Sequence, residues 1–196
     1  MKFDDRGLVP CIVQDWTSGE VLTLAYMNAQ ALELTRETGQ MHFWSRSRQE
    51  LWRKGATSGN TLALRALRYD CDADALLALV DAAGPACHTG ERTCFHQGSL
   101  EPQAPHEVLP HLERTIAQRR YGNPEESYTS SLLADPNHIG EKVEEEAEEV
   151  ARAAREETDE RVANEAADVL YHLCVLLASR DLRLADAQRV LDERRG

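Results

Sequence analysis

The run Tyr69-Asp-Cys-Asp-Ala-Asp74 carries one thiol and three carboxylates. Asp70, Asp72 and Asp74 are hard oxygen ligands of the kind Mg²⁺ or Ca²⁺ takes. Cys71 is a soft ligand that suits zinc. The competing reading is a charged turn before a helix, with Asp72 or Asp74 as its cap. Cys87 follows Cys71 by sixteen residues and Cys94 comes seven later. This is not the paired CxxC spacing of a structural zinc module. Three protein thiolates with one open position is the pattern of a catalytic zinc, which would lower the pKa of its water towards ~7. His88, next to Cys87, could close that site or stay free as a proton carrier. Cys11 and Cys174 lie inside apolar runs and read as small buried hydrophobes.

Side-chain alternation sets a condition on this cluster. If Tyr69–Asp74 is extended, the three aspartates share one face and Cys71 takes the other. A straight strand cannot aim all four at one point. Either the segment bends where a helix starts, or the zinc ligands come from two subunits.

The segment from His42 to Asn60 is basic within a mildly acidic half. It carries Arg46, Arg48, Arg53 and Lys54, with Ser45, Ser47, Thr57, Ser58 and Asn60 as further donors and Gly55 and Gly59 allowing close backbone approach. That mixture suits a phosphate. Trp44 and Trp52 could stack on a base, with packing the competing role. A plain surface loop has the same composition.

A second set of chemistry-bearing residues lies in two helical stretches. In 139–157, Ile139, Val143, Ala147, Val150 and Ala154 recur at helical spacing as the expected buried stripe. Lys142, Glu145, Glu146 and Glu149 gather on one flank, and Glu144 and Glu148 on the other. In 160–179 the stripe is Val162, Ala166, Val169, Leu173 and Leu176, flanked by Glu165, Asp168 and His172. If the two flanks face each other, up to five carboxylates converge, and oxygen ligands alone point to Mg²⁺. The competing reading is a pair of solvated faces.

The elements behind these residues differ between the halves. Leu8–Val13 and Val21–Tyr26, separated by Trp16-Thr-Ser-Gly19, predict a β-hairpin. The pattern predicts a helix over Ala29–Thr38, with Asn28 as N-cap and Gly39 at its end, and another over Ala73–Ala83, stopped by Gly84-Pro85. After His96-Gln-Gly-Ser-Leu-Glu-Pro-Gln-Ala-Pro105, helical spacing predominates: Val108–Arg120, Ile139–Glu157, Glu160–Ser179 and Leu184–Arg194. The expectation is two domains, α+β over 1–97 and all-α over 107–196, with a linker over 98–106.

The chain has 196 residues and a net charge of −12, of which −3 lies up to Ala104 and −9 beyond. That balance argues against coating nucleic acid or an anionic membrane. No long apolar run stands out as a membrane span. MKFDDRGLVP lacks the apolar core of a secretory signal, and five cysteines without a signal suggest reduced thiols or metal ligands, so a cytoplasmic protein is expected.

Two resemblances sharpen this reading. VPCIVQD (9–15), LAYMN (24–28), HFWSRSR and LWRKGATSGN, DCDAD, and GPACHTGERTCF (84–95) together resemble phosphoribosyl-AMP cyclohydrolase of histidine biosynthesis. The resemblance covers residues 4–95. It implies a small β-rich homodimeric hydrolase, dependent on Zn²⁺ and Mg²⁺, that opens the adenine ring between N1 and C6 with zinc-activated water, as zinc deaminases attack a base. It assigns zinc to Cys71, Cys87 and Cys94, Mg²⁺ to Asp70, Asp72 and Asp74, and substrate contact to Trp44, Ser45, Arg46, Arg48, Lys54, Thr57, Ser58 and Asn60. His88 is the expected proton shuttle. Cys11 and Ala56 depart from the family pattern, in which Ala and Glu are common there.

In the second half, E-x-x-E followed by E-x-x-D resembles the all-α, MazG-like nucleotide pyrophosphohydrolases. The fuller text, Ser127-Tyr-Thr, Lys142-Val and Glu165-Ala-Ala-Asp-Val-Leu-Tyr-His-Leu, is similar to phosphoribosyl-ATP pyrophosphohydrolase over residues 107–195. The resemblance implies that phosphoribosyl-ATP is split into phosphoribosyl-AMP and pyrophosphate by a water activated between Mg²⁺ and carboxylates. Glu145, Glu146, Glu149, Glu165 and Asp168 become metal ligands, with Glu145 and Glu146 also catalytic. Arg119 and Lys142 become phosphate contacts. Glu144 replaces a common Gly. The two steps are consecutive, so the expectation is a bifunctional, nucleotide-binding enzyme of histidine biosynthesis acting as a homodimer. The alternatives are a general house-cleaning nucleotide pyrophosphatase in the second half, or a structural-zinc module joined to an acidic-helix interaction domain.

Overall fold

A computed structural model describes residues 1–101 and 104–195. Residues 102 and 103, inside the expected linker, and the C-terminal residue 196 lie outside the described residues. The backbone divides into two units, Met1–Glu107 and Val108–Gly196.

The first unit is built on one six-stranded sheet. Its strands are β1 (Val9–Asp15), β2 (Val21–Met27), β3 (His42–Ser45), β4 (Glu50–Arg53), β5 (Leu62–Tyr69) and β6 (Leu76–Ala82), in the order β4-β3-β2-β1-β6-β5. Neighbours are antiparallel except β1 and β6, which run parallel with Cys11 beside Leu76 and Asp15 beside Val80. The β1–β2 hairpin forms as its pattern predicts. Its turn is held by Asp15, whose Oδ1 accepts from the Thr17 and Ser18 amides at 3.1 and 2.8 Å. The helix α1 (Ala29–Thr38) also forms as expected. Asn28 Oδ1 accepts from Ala31 N at 2.8 Å, and Gly39 closes the helix at φ 67°, a left-handed value open to glycine at little cost. Val9, Cys11, Val13, Leu22, Met27, Phe43, Leu62, Leu76 and Val80 are buried with Leu32 of α1 in one core. Each such large apolar side chain contributes about 2 kcal/mol by burial.

The helix expected over 73–83 is a strand instead. Leu76–Ala82 is β6, hydrogen-bonded to β1 on one side and β5 on the other. The Ala- and Leu-rich text favours a helix locally. A central strand is apolar on both faces, however, so its run of apolar residues shows no alternation. Pairing on both edges outweighs propensity.

The second unit is helical, as expected. Its elements are α2 (Pro105–Arg119), α3 (Tyr128–Ala134), α4 (Pro136–Glu156), α5 (Asp159–Ser179) and α6 (Leu184–Glu193). Side-chain caps start three of them: Ser127 for α3, Asp135 for α4 and Thr158 for α5. Pairing of α4 with α5 is the main contact, and α3 packs across both. Ile116, Leu132, Ile139, Cys174 and Val175 form the core. The short helix α3 escaped the periodicity, since seven residues give only two turns. By length and composition α5 could cross a membrane, contrary to the expectation that no stretch would qualify. Within this unit it packs on α4 and α3 and buries Glu165 and His172.

The expected buried stripe of α4 is rotated. Ile139, Glu146 and Ala153 are the buried residues, at i, i+7 and i+14, while Ala147 and Ala154 are exposed. On α5 the buried residues include Glu165 and His172, and the expected stripe of Val162, Ala166, Val169, Leu173 and Leu176 is only half-buried. The polar flanks face inward, because each helix turns its carboxylates toward the other and leaves its apolar rows partly open.

Candidate functional site

Two separate clusters emerge, one in each unit. In the first unit, Asp70–Ala75 is the turn between β5 and β6. Asp70 organises it: its Oδ1 accepts from the Asp74 and Ala75 amides at 2.9 and 3.1 Å, and Ala73 takes φ 63°. The segment is therefore bent and not extended, and the alternation expected for 69–74 does not hold. It bends into a strand, without the helix start that would have needed Asp72 or Asp74 as a cap. The turn brings carboxylate oxygens of Asp70, Asp72 and Asp74 within 4.8 Å of one another, all exposed. Hydrogen bonds from the Ala75 and Asp74 amides hold Asp70 below the usual carboxylate range. Asp74 is pushed up, first by its hydrogen bond with Asp70 and then by repulsion from Asp72 and Asp70. Such mutual repulsion is what a divalent cation relieves.

The bend does not carry Cys71 to the other thiols. Cys71 sits at the Leu76 end of β6, whereas Cys87 follows the Ala82 end, so about 20 Å of strand lies between them. Among the described residues, no group of three close metal-ligating side chains includes a cysteine.

Cys87 and Cys94 lie on a loop, 83–96, that is tied to the β1–β2 hairpin. Arg92 bonds Glu20 Oε2 at 2.6 Å, Thr93 Oγ1 donates to Val21 O at 2.7 Å, and Cys94 N donates to Leu22 O at 2.8 Å. Gly84 begins the loop where a Cβ would stand 2.4 Å from Asn60 Oδ1, so Asn60 packs against the loop's base. Cys87 Sγ accepts from Thr89 Oγ1 at 3.1 Å and lies 3.8 Å from both His88 Nδ1 and His96 Nε2. The Thr89 hydroxyl and amide pull the Cys87 thiol down to about 6, aided by His96 and Cys94. Desolvation pushes Cys94 up. The cysteine spacing does not single out His96, which stands two residues after Cys94 and completes the surroundings of the Cys87 thiol. Cys11 and Cys174 are buried as expected, with thiols pushed by burial to about 12 and about 11.

A cavity of about 680 Å³ opens beside this loop. Trp44, Ser45, Arg46, Arg48 and His88 line it, as do Tyr26 and Trp52. Arg46 lies over the Tyr26 ring at 3.8 Å, and Trp52 packs on Phe43 with ring centroids 5.1 Å apart. Lys54, Thr57, Ser58 and Asn60 do not line it. Lys54 instead reaches Pro85 O at 3.5 Å, while Thr57 and Ser58 are exposed in the turn after β4.

In the second unit, carboxylate oxygens of Glu146, Glu165 and Asp168 lie within 4.8 Å of one another. Glu146 and Glu165 are buried and Asp168 is exposed. Lys142 Nζ bridges Glu145 at 2.7 Å and Glu146 at 3.1 Å. These two partners raise the Lys142 ammonium, and Lys142 in turn holds Glu145 low. Burial pushes Glu165 up, opposed by Arg161 and reinforced by Glu149. Glu149 also pairs with Arg152 at 3.3 Å. Arg119, at the end of α2, reaches Thr129 Oγ1 of α3 at 3.4 Å. His172, buried between these helices, bonds Tyr128 and the Asp168 carbonyl.

The sequence of each unit matches a hydrolase family. Residues 23–96 match the phosphoribosyl-AMP cyclohydrolase family and residues 109–195 the phosphoribosyl-ATP pyrophosphohydrolase family. The "Histidine biosynthesis bifunctional protein HisIE" of Bacillus subtilis is 51% identical over 99% of this chain and 94% of its own length. The protein of that name from Nostoc sp. is 48% identical over 100% of this chain and 92% of its own, and that from Gloeobacter violaceus 50% over 99% and 90%. The chain belongs to the family of bifunctional histidine-biosynthesis enzymes that join a cyclohydrolase to a pyrophosphohydrolase. Neither the general-pyrophosphatase reading nor the interaction-protein reading finds support in these similarities.

Proposed function

We propose that the second domain hydrolyses phosphoribosyl-ATP to phosphoribosyl-AMP and pyrophosphate with Mg²⁺, and that the first opens the adenine ring of phosphoribosyl-AMP with Zn²⁺ and Mg²⁺. The observation that carries this reading is a carboxylate cluster in each unit, with the lowered Cys87 thiol beside Cys94 as a soft ligand pair in the first unit alone. For zinc, Cys87 fits: with its thiol near 6 it is a thiolate at neutral pH, and Cys94 lies beside it. Cys71, at the far end of β6, is then supplied by a second copy of the chain. The homodimer has further support in Ile12, Val21, Leu24 and Tyr69, which leave apolar surface exposed in the first unit, and in the half-open apolar rows of α4 and α5. When bound, zinc supplies a Lewis acid that makes water acidic enough to be a nucleophile near neutral pH.

This chain's own residues do the rest. Arg46 and Arg48, in the cavity, take the substrate phosphate, and Trp44 offers a face to the base. Lys54, Thr57, Ser58 and Asn60 stand outside that cavity, so their contact with substrate requires the rest of the assembly. His88, exposed at the cavity wall, moves the proton to the ring nitrogen. The aspartates of the β5–β6 turn fit Mg²⁺ by their crowding.

In the second domain Glu146, Glu165 and Asp168, with Glu145 and Glu149 alongside, fit Mg²⁺, which when bound neutralises the charge of the leaving pyrophosphate. The attacking water gives up one proton, and the Glu145–Glu146 pair beside Lys142 is where it goes. Lys142 and Arg119 contact the phosphates, since Arg119 keeps donors beyond the one given to Thr129. We place the domain boundary near residues 98–106 and the protein in the cytoplasm. Supplying phosphoribosyl-ATP and Mg²⁺ to zinc-loaded protein should yield pyrophosphate and the ring-opened nucleotide, identified by mass. Recovery of substrate alone would overturn the reading.

A further inference from the structure

The helix α3 holds a tyrosine that no step above uses. Tyr128 is 54% exposed, yet it is anchored at both its ring and its hydroxyl. Its ring stacks near Tyr171, with centroids 6.3 Å apart and planes at 17°, and meets His172 edge-on at 6.1 Å. Its hydroxyl lies 3.2 Å from Nε2 of His172, a side chain only 5% exposed. An exposed aromatic normally has freedom to move; this one is held beside the carboxylate cluster.

The proton positions follow from the partners. His172 Nδ1 lies 2.9 Å from the Asp168 carbonyl oxygen and 3.7 Å from Glu146 Oε1. Both are acceptors, so Nδ1 carries the ring proton. In the neutral ring Nε2 is then an acceptor, and the phenol must donate its single hydrogen to it. The Tyr128 oxygen is left with its lone pairs alone. A phosphate has no donor to offer such an oxygen, so the phosphate contacts remain with Lys142 and Arg119. The partner that fits is an O–H or N–H group on the nucleoside part of the substrate.

We propose that Tyr128 is a substrate-binding residue of the pyrophosphohydrolase site, accepting a hydrogen bond from a donor on the nucleoside part of phosphoribosyl-ATP, and that His172 is the positioning residue that fixes its polarity. The inference rests on the carboxylate site proposed above. It also gives α5 a reason to carry a buried histidine one turn after Asp168: the same ring that receives the phenol proton bonds the Asp168 carbonyl.

Tyr128→Phe removes the hydroxyl and keeps the ring. At pH 8 it should raise KM for phosphoribosyl-ATP by about three- to tenfold, the range for one lost hydrogen bond. The kcat should stay within about twofold and the half-saturating Mg²⁺ concentration should not move. His172→Leu should produce a similar KM shift, and adding it to Tyr128→Phe should produce little more. His172→Gln, whose amide oxygen can take the phenol proton, should recover most of the loss. An unchanged KM in Tyr128→Phe, a shift in Mg²⁺ half-saturation in place of KM, or fully additive effects in the double variant would each overturn the proposal. Should His172→Leu fail to fold, Tyr128→Phe decides alone. Glu165→Gln separates this inference from its foundation. If that variant still releases pyrophosphate at the native rate, the carboxylate site itself is wrong. If it is inactive while Tyr128→Phe binds substrate normally, only the role of Tyr128 falls.

Discussion

The two ligand clusters are assembled by opposite means. In the helical unit, Glu146 comes from α4 and Glu165 and Asp168 from α5, and one chain brings all three together. In the sheet unit, the thiols lie at opposite ends of a strand, and one chain leaves Cys71 apart from Cys87 and Cys94. Helices repeat every 3.6 residues, so ligands at i, i+3 and i+7 share a face without help. A strand sends its two flanking loops apart, and ligands on those loops meet only through another element or another chain.

The largest expected effects separate the two clusters. Cys87→Ser should lower ring opening by at least about a thousandfold and leave pyrophosphate release unchanged. Asp168→Asn should do the reverse on phosphoribosyl-ATP while sparing ring opening of added phosphoribosyl-AMP. Assaying each half-reaction on folded protein tests this, and one substitution stopping both would refute independent sites.

Mixing variants then sharpens the contrast. Inactive Cys71→Ser chains mixed with inactive Cys87→Ser chains should regain ring opening, up to about a quarter of the native activity for random pairing in a dimer. The matching mixture of Glu146→Gln with Glu165→Gln should regain no pyrophosphate release, because each chain completes its own cluster and every site keeps one defect. Activity in the second mixture, or none in the first after confirmed subunit exchange, would collapse the comparison.

A smaller effect concerns protonation. The Cys87 thiol, lowered to about 6, is a thiolate above that pH and a thiol below it. In metal-free protein its alkylation by iodoacetamide should therefore be half-maximal near pH 6 and fall about tenfold for each unit below. Cys94, pushed up by desolvation, should react half-maximally at a higher pH. Mass mapping of the labelled cysteine checks both. Thr89→Val removes the 3.1 Å hydroxyl contact and should move the Cys87 midpoint upward, the smallest change expected here.

The sequence by itself determined the helical half closely. Periodicity placed four of the five helices among its described residues, and the E-x-x-E and E-x-x-D spacings identified the flank that gathers carboxylates, because those spacings are local properties of a helix. The same local signals determined the first hairpin and α1, through Asn28 and Gly39. Tertiary structure decided which face of α4 and α5 turned inward. It also made Leu76–Ala82 a strand, since its hydrogen bonds come from β1 and β5, partners distant in sequence. It bent Asp70–Ala75 into a turn that crowds three aspartates while leaving Cys71 remote from the other thiols. It brought Tyr128 onto His172, forty-four positions along the chain. Local spacing carries no record of such meetings, because they depend on how separate elements pack and not on the geometry within any one of them.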